Sequence, residues 1–283
     1  MMLVLLSYLF YFAAASASPL QRRWLSTNKE GGGQIQFAFR VMLFVAICGF
    51  LLPLFSQPQL NGGFWQIVLL GLITGLSGAL FFIGNYSAQK HVDAGVTSLI
   101  SNIYTPVTII IASLFLSESL KPMQLVGTLI LLFAMVLVSK KHRVGRFNFD
   151  KYFWLMILSG VSLGICLSAE RALMKTTGFS AGTLISWWSQ VLALGLATLI
   201  FKKNRTSYGL KDTLITGSLR FLQALSWVVL LQVVGNLSIV SAVTTFKVVV
   251  IFLFAAILLK EREDLPRKIV GSLIAIFGLL LIK

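Results

Sequence analysis

The chain has 283 residues, 57% of them hydrophobic and only 12% charged, with a mean hydropathy of +0.88 and a formal net charge of +15. Soluble domains carry about a quarter charged residues and cover much of their surface with polar groups, so this composition excludes a water-soluble globule, a disordered chain and a collagen-like one. Two cysteines, Cys48 and Cys166, each lie inside an apolar run and read as small buried hydrophobes rather than a disulfide or metal pair. The basic residues collect at the ends of apolar runs, where they meet lipid headgroups, and nucleic acid is not an expected partner.

A helix needs about 20 apolar residues to cross the hydrocarbon core. Ten such runs follow in order. The first five are Met2–Leu20, Ile35–Phe55, Phe64–Gln89, Ala94–Leu116 and Met123–Ser139; the second five are Tyr152–Met174, Ala181–Phe201, Leu214–Val234, Leu237–Leu259 and Lys268–Ile282. The longest polar stretches between them are Gln21–Gln34, Lys140–Lys151 and Lys202–Asp212, too short for a soluble domain. The small-residue segment from Ala13 to Ser18 resembles a signal-peptide cleavage region. The run lacks a basic start, however, and Arg22 and Arg23 follow at once, so it reads as a retained anchor.

The sequence repeats itself. Shifted by 143 residues, Ser98 falls on Ser241, Val107 on Val250, Ala112 on Ala255 and Glu118 on Glu261. After one inserted residue Pro122 meets Pro266 and Gly127 meets Gly271. The Glu–Pro–Gly framework at both helix turns carries the duplication better than identities between apolar runs do. The expected architecture is an all-α integral membrane protein of ten transmembrane helices, arranged as two five-helix repeats over residues 1–139 and 152–283, joined by a basic cytoplasmic linker at 140–151. Five is odd, so the second repeat must lie inverted. Of the 24 Lys and Arg, 17 fall in the loops after odd-numbered spans, four in the even loops and at the C-terminus, and three (Arg40, Arg220 and Lys247) inside spans. By the positive-inside rule the odd loops are cytoplasmic and both termini face outward, in a multi-pass protein of the cell membrane.

The segment from Leu114 through Ser117-Glu118-Ser119-Leu120-Lys121-Pro122 to Gly127 resembles the fourth-to-fifth-helix signature of EamA-type transporters, of the drug/metabolite transporter superfamily. Ile257 through Lys260-Glu261, Pro266 and Gly271 is similar to its second copy. The likeness covers nearly the whole chain and is clearest over Tyr86–Ser139 and Asn236–Ile282. It implies a ten-helix carrier whose central cavity is lined by the third, fourth, eighth and ninth helices with the first and sixth, and which works by alternating access. Two departures stand out. Val249 occupies the place where Pro106 would repeat, and the first span holds no acid of the kind that couples protons in small multidrug relatives.

Lys247 stands out, eleven residues into a span of about 23 and so near the midplane. A charge there costs roughly 2.5–3.5 kcal/mol and normally faces a cavity. It is the leading candidate to anchor an anionic or zwitterionic substrate; the other reading is a buried lysine that ties helices together. The repeat places Tyr104 opposite it, beside Asn102 and Pro106. Pro106 removes a backbone donor, which either frees a carbonyl toward the cavity or makes a harmless kink. Arg220, roughly 10–12 Å inside its span, reads as a site residue or as a snorkelling one, and Arg40 more readily as the latter. Asn85 completes the candidate substrate set. Glu170 is a candidate gate, although with Arg171 it also reads as interfacial, since adjacent helical residues point apart. Glu118 and Glu261 read as balancing charges for the next helix. Gly71-x-x-x-Gly75 and Gly160-x-x-x-Gly164 are close-approach motifs.

Enzyme chemistry finds no support. Intramembrane proteolysis needs a histidine or an acidic pair at depth, and His91 and His142 sit at span ends. No cofactor or metal motif is present. The sequence therefore points to a secondary transporter of a small organic metabolite or drug, its partners being that solute and the surrounding lipid. A flippase for a lipid or lipid-linked precursor, on the same frame, is the alternative.

Overall fold

A computed structural model describes residues 2–28, 33–54, 56–59, 61–89, 91, 94–139, 151–201, 207–258 and 265–282, and these are helical nearly throughout, with no strand among them. The first half contains α1 (Met2–Asn28), α2 (Gln34–Cys48) running into a 3-10 segment (Gly49–Leu54), α3 (Phe64–Ala88), α4 (Ala94–Ser101), α5 (Tyr104–Phe115) and α6 (Pro122–Ser139). The second contains α7 (Lys151–Thr177), α8 (Phe179–Ile200), α9 (Leu210–Val234), α10 (Leu237–Thr244), α11 (Lys247–Leu258) and α12 (Leu265–Ile282).

Six of these helices, α1, α2 with its 3-10 extension, α3, α7, α8 and α9, are long and apolar enough to cross a membrane. Their outer faces agree with that. Leu69, Leu72, Leu76 and Leu80 form one face of α3, each at least half exposed. Such a stripe is stable against lipid tails and aggregation-prone in water. The protein is a multi-pass membrane protein.

Two expectations need correction. The first run does not end at Leu20: α1 continues to Asn28, so most of the stretch expected as a polar loop is helix. No residue from Gln21 to Asn28 breaks a helix, and α2 is preceded by Gly33, whose φ is 69°. The fourth and ninth runs are not continuous helices either. Each is split into pieces of 8 and 12 residues, and α10 and α11 begin 143 residues after α4 and α5. At both breaks the backbone tightens to i→i−3 bonding: Thr105 N–H donates to Asn102 O at 3.0 Å, and Val248 N–H to Thr245 O at 3.1 Å. Proline is therefore not the common cause, because Val249 stands where Pro106 would repeat. Pro106 lies in the first turn of α5, where an N–H has least to bond, and the carbonyl it would leave free is taken by Thr105.

Close approach of helices brings the breaks to the centre. A Cβ on Gly160 would stand 2.6 Å from Ser101 O, and one on Gly164 would stand 3.0 Å from Tyr104 O, so both glycines of that motif press α7 onto the broken fourth span. Gly75 does the same for α3 against Ser189 of α8. Helix neighbours exchange between the halves: α3 packs on α7 and α9 on α1, while α5 packs on α10 and α11 on α4.

Candidate functional site

A cavity runs between the halves, lined from α1, α2, α3, α4, α5, α7, α8, α9 and α11. Relative to the expected lining this adds the second and seventh spans, through Met42, Val45, Trp187 and Gln190. It offers about 140 Å³ to water, room for on the order of ten molecules.

The breaks supply its deep end. Starting α11 immediately after the break puts Lys247 at the head of a helix, with Nζ 3.2 Å from Tyr104 OH and 3.4 Å from Tyr11 OH, and 4.5 Å from the Tyr104 ring centroid. The Tyr104 hydroxyl also meets Thr244 Oγ1 at 3.2 Å. Beside them Asn102 Nδ2 donates to Thr245 Oγ1 at 3.2 Å, and that hydroxyl lies 2.9 Å from Thr105 Oγ1. Asn102 with Thr245, and Tyr104 with Lys247, are pairs separated by 143 residues.

Arg220 is held over Phe81 and Phe82, 5.5 and 4.9 Å from their centroids, and Nη1 donates to Gln223 Oε1 at 3.0 Å. Asn85 Nδ2 donates to Ser101 Oγ at 3.2 Å. Glu170 lines the same cavity from α7 and is 3% exposed, so it faces the protein interior rather than the outer surface. Of the candidates from sequence, the structure brings Lys247, Tyr104, Asn102, Arg220, Asn85 and Glu170 to one cavity; Pro106 is not in its wall. Arg40 is exposed. Trp187 lines the cavity while Trp188 packs on Phe50.

Arg22 went unrecognised. Read from sequence as a headgroup residue, it is 2% exposed and lies under three rings, 5.0, 4.8 and 5.1 Å from the centroids of Phe37, Tyr86 and Tyr208. Trp227, near Tyr11 and Tyr104, is a second unforeseen wall residue. The cavity thus presents three cations, each backed by an aromatic face, against one carboxylate. Buried polar atoms without a hydrogen-bond partner also gather there: Arg22 Nε, Gln89 Oε1, Asn102 Oδ1, Glu170 Oε1 and Trp227 Nε1. Unpaired buried groups are rare enough to mark a place where water or a ligand belongs.

Glu118 does not serve the next helix. Arg171 Nη2 and Nε lie 2.8 and 2.9 Å from its Oε1, Lys175 Nζ lies 3.3 Å from the same oxygen, and its Oε2 accepts the Leu237 N–H at 2.6 Å. It therefore caps α10 in the other half. Arg171, facing away from the cavity side of Glu170, also donates to Gly235 O at 2.6 Å. Glu261 lies outside the described residues.

The described residues hold no cluster of three or more His, Cys, Asp or Glu that could bind a metal. No curated protein matches the chain. One solved structure, described only as "Crystal structure of protein", has a TM-score of 0.71 over 97% of this chain and 95% of its own, at 13% identity, which shows a shared fold. The model of the EamA-like transporter family matches residues 1–140. Through that match the chain belongs to the EamA-like transporter family and is a membrane transporter of the drug/metabolite type.

Proposed function

We propose that the protein is a secondary transporter that carries a small organic anion or zwitterion across the cell membrane by alternating access, with Lys247 as its anchor. One observation carries this reading: Lys247 sits in the cavity wall with two phenol hydroxyls and a ring for partners, and no carboxylate among the described residues. A partly buried ammonium without a counter-charge is costly, and an anionic solute would supply the charge while accepting charge-assisted hydrogen bonds. Tyr104, Asn102, Arg220 and Asn85 surround that solute with donors, and the aromatic walls accept its apolar part.

Alternating access follows from an inverted duplication, in which each half adopts in turn the conformation of the other. Equal helix lengths, the twin breaks and the exchange of neighbours between halves support it. The cavity volume favours a solute over a lipid. The test is a thermal-shift screen of purified protein against small carboxylates, phosphate esters and soluble phospholipid headgroups, followed by proteoliposome uptake. Stabilisation by carboxylates, with saturable uptake of the same compounds, is the expected result. Stabilisation by headgroups alone, with dithionite-sensitive lipid flipping, would replace this reading by the flippase.

A further inference from the structure

Lys247 is not the sole cation of the cavity for which the described residues supply no counter-charge. Arg22 lies on the same helix as Tyr11, eleven residues further along, and Lys247 bonds to Tyr11. At 1.5 Å per residue Tyr11 and Arg22 are about 16 Å apart along the axis of α1, so the two cations are held against different levels of that helix. We propose that Arg22 is a second anion-binding station of this cavity, taking the carboxylate of the transported solute at the end of α1 remote from Lys247. The proposal rests on the anionic-cargo reading above.

Four observations carry it. Arg22 lines the cavity although it is 98% buried by the remainder of the protein. Its guanidinium uses Nη1 for Tyr208 OH at 3.4 Å and Nη2 for Gln34 Oε1, while Nε has no partner. Its neighbours are rings and neutral polar groups; no carboxylate pairs with it among the described residues. Three aromatic faces hold the plane in place, so its unused N–H donors are already oriented for a planar anion. A purely structural arginine of this burial would normally have every N–H satisfied.

Arg220 connects the stations. It lies over Phe82, Arg22 lies over Tyr86, and those rings are one turn apart on α3, about 6 Å. A carboxylate leaving Arg22 meets Arg220 next and Lys247 after that, so no stage of the path is without a cation.

Isothermal titration of the purified full chain with benzoate, and separately with inorganic phosphate, tests the proposal. Benzoate should bind the wild type with two equivalents. Arg22→Gln should lose one of them, and Lys247→Met the other. Arg22→Lys keeps the charge but loses Nε and the planar face, and should weaken its equivalent about tenfold while leaving the first unchanged; this variant serves where Arg22→Gln yields too little folded protein. Two equivalents retained in Arg22→Gln, or an unaltered titration in Arg22→Lys, while Lys247→Met drops to one, would overturn the Arg22 station and leave the Lys247 anchor standing. The converse pattern, one equivalent in Arg22→Gln and two in Lys247→Met, would keep the station and overturn the anchor. Failure of both probes to bind the wild type would overturn both.

Discussion

Lys247 and Tyr104 are 143 residues apart, the interval that relates the two halves, and they are also hydrogen-bond partners at 3.2 Å. Asn102 and Thr245 are related in the same two ways. Positions that correspond under a duplication touch each other only close to the axis relating the copies. The chemical asymmetry of the pairs, an ammonium against a phenol and an amide against a hydroxyl, therefore falls at the seam between the two halves of the chain, beside the cavity.

Replacing Lys247 by Met keeps much of the stem's volume and removes the charge. Because a partly buried charge is lost, the melting temperature should hold or rise, while uptake per folded molecule falls tenfold or more. Both are measured on one preparation. Full uptake in the mutant would sink the anchor, whatever the melting temperature did.

Tyr104→Phe separates the hydroxyl from the ring. The cation–π contact survives, whereas the bonds to Lys247 and Thr244 are lost. The Thr244 bond is neutral and contributes about 1 kcal/mol, and the ammonium keeps Tyr11 OH as a partner, so uptake should fall by a factor of several and less than in Lys247→Met. An effect as large as that of Lys247→Met would mean that the phenol itself binds cargo.

Membrane class and the places of the long helices are legible in the sequence, because a 20-residue apolar run states its own length and medium. The breaks are not. Ala94–Leu116 and Leu237–Leu259 are evenly apolar, and Pro106 hints at one break while nothing marks its twin. Lys247, Tyr104 and Asn102 were legible because a charge at mid-depth needs a reason and the repeat points across to its counterpart. Arg22 was not, since a basic residue after an apolar run ordinarily marks the interface; its burial depends on Phe37, Tyr86 and Tyr208, which only the tertiary fold brings to it. Glu118 misled for the same reason, as its partners lie 53 and 119 residues away.

Orientation is tested apart from the site. By the positive-inside rule the distribution of basic residues predicts both termini outside and residues 140–151 in the cytoplasm. A C-terminal alkaline phosphatase fusion should be active and a green fluorescent fusion dark. The reverse would invert the assignment without altering the cavity.

Gly182 measures how tightly α8 is pressed on α7. A Cβ there would stand 2.5 Å from Met174 N and 2.6 Å from Leu173 C, both backbone atoms that cannot step aside. Gly182→Ala should cost about 1–3 kcal/mol through overpacking and lower the melting temperature. Gly63→Ser is the contrast. Its φ of −63° suits any residue, a Cβ would meet nothing within 4 Å, and serine at the N-cap of α3 supplies an acceptor that glycine lacks. Its melting temperature should hold or rise, and equal losses in both variants would show that the α7–α8 approach is looser than described.

The Glu118–Arg171 pair joins the turn after α5 to α7 and, through Leu237, to the start of α10. Side-chain exposures of 8% and 11% put the two charges largely out of water, where removing one partner strands the other at a cost of about 3–5 kcal/mol. Glu118→Gln keeps an acceptor for the Leu237 N–H and isolates the charge; Glu118→Ala loses the cap as well, about 1 kcal/mol more. Arg171→Met leaves the carboxylate with Lys175 and the amide of Leu237, so it should cost less than Glu118→Gln, which leaves Arg171 with only a carbonyl. Combining Glu118→Gln with Arg171→Met removes both charges, and the double variant should be more stable than the two single losses predict by about 1–3 kcal/mol. Unfolding by denaturant in detergent reads all four proteins. Strict additivity would show that the pair is screened by water or headgroups, and that α10 is held by its cap and packing alone.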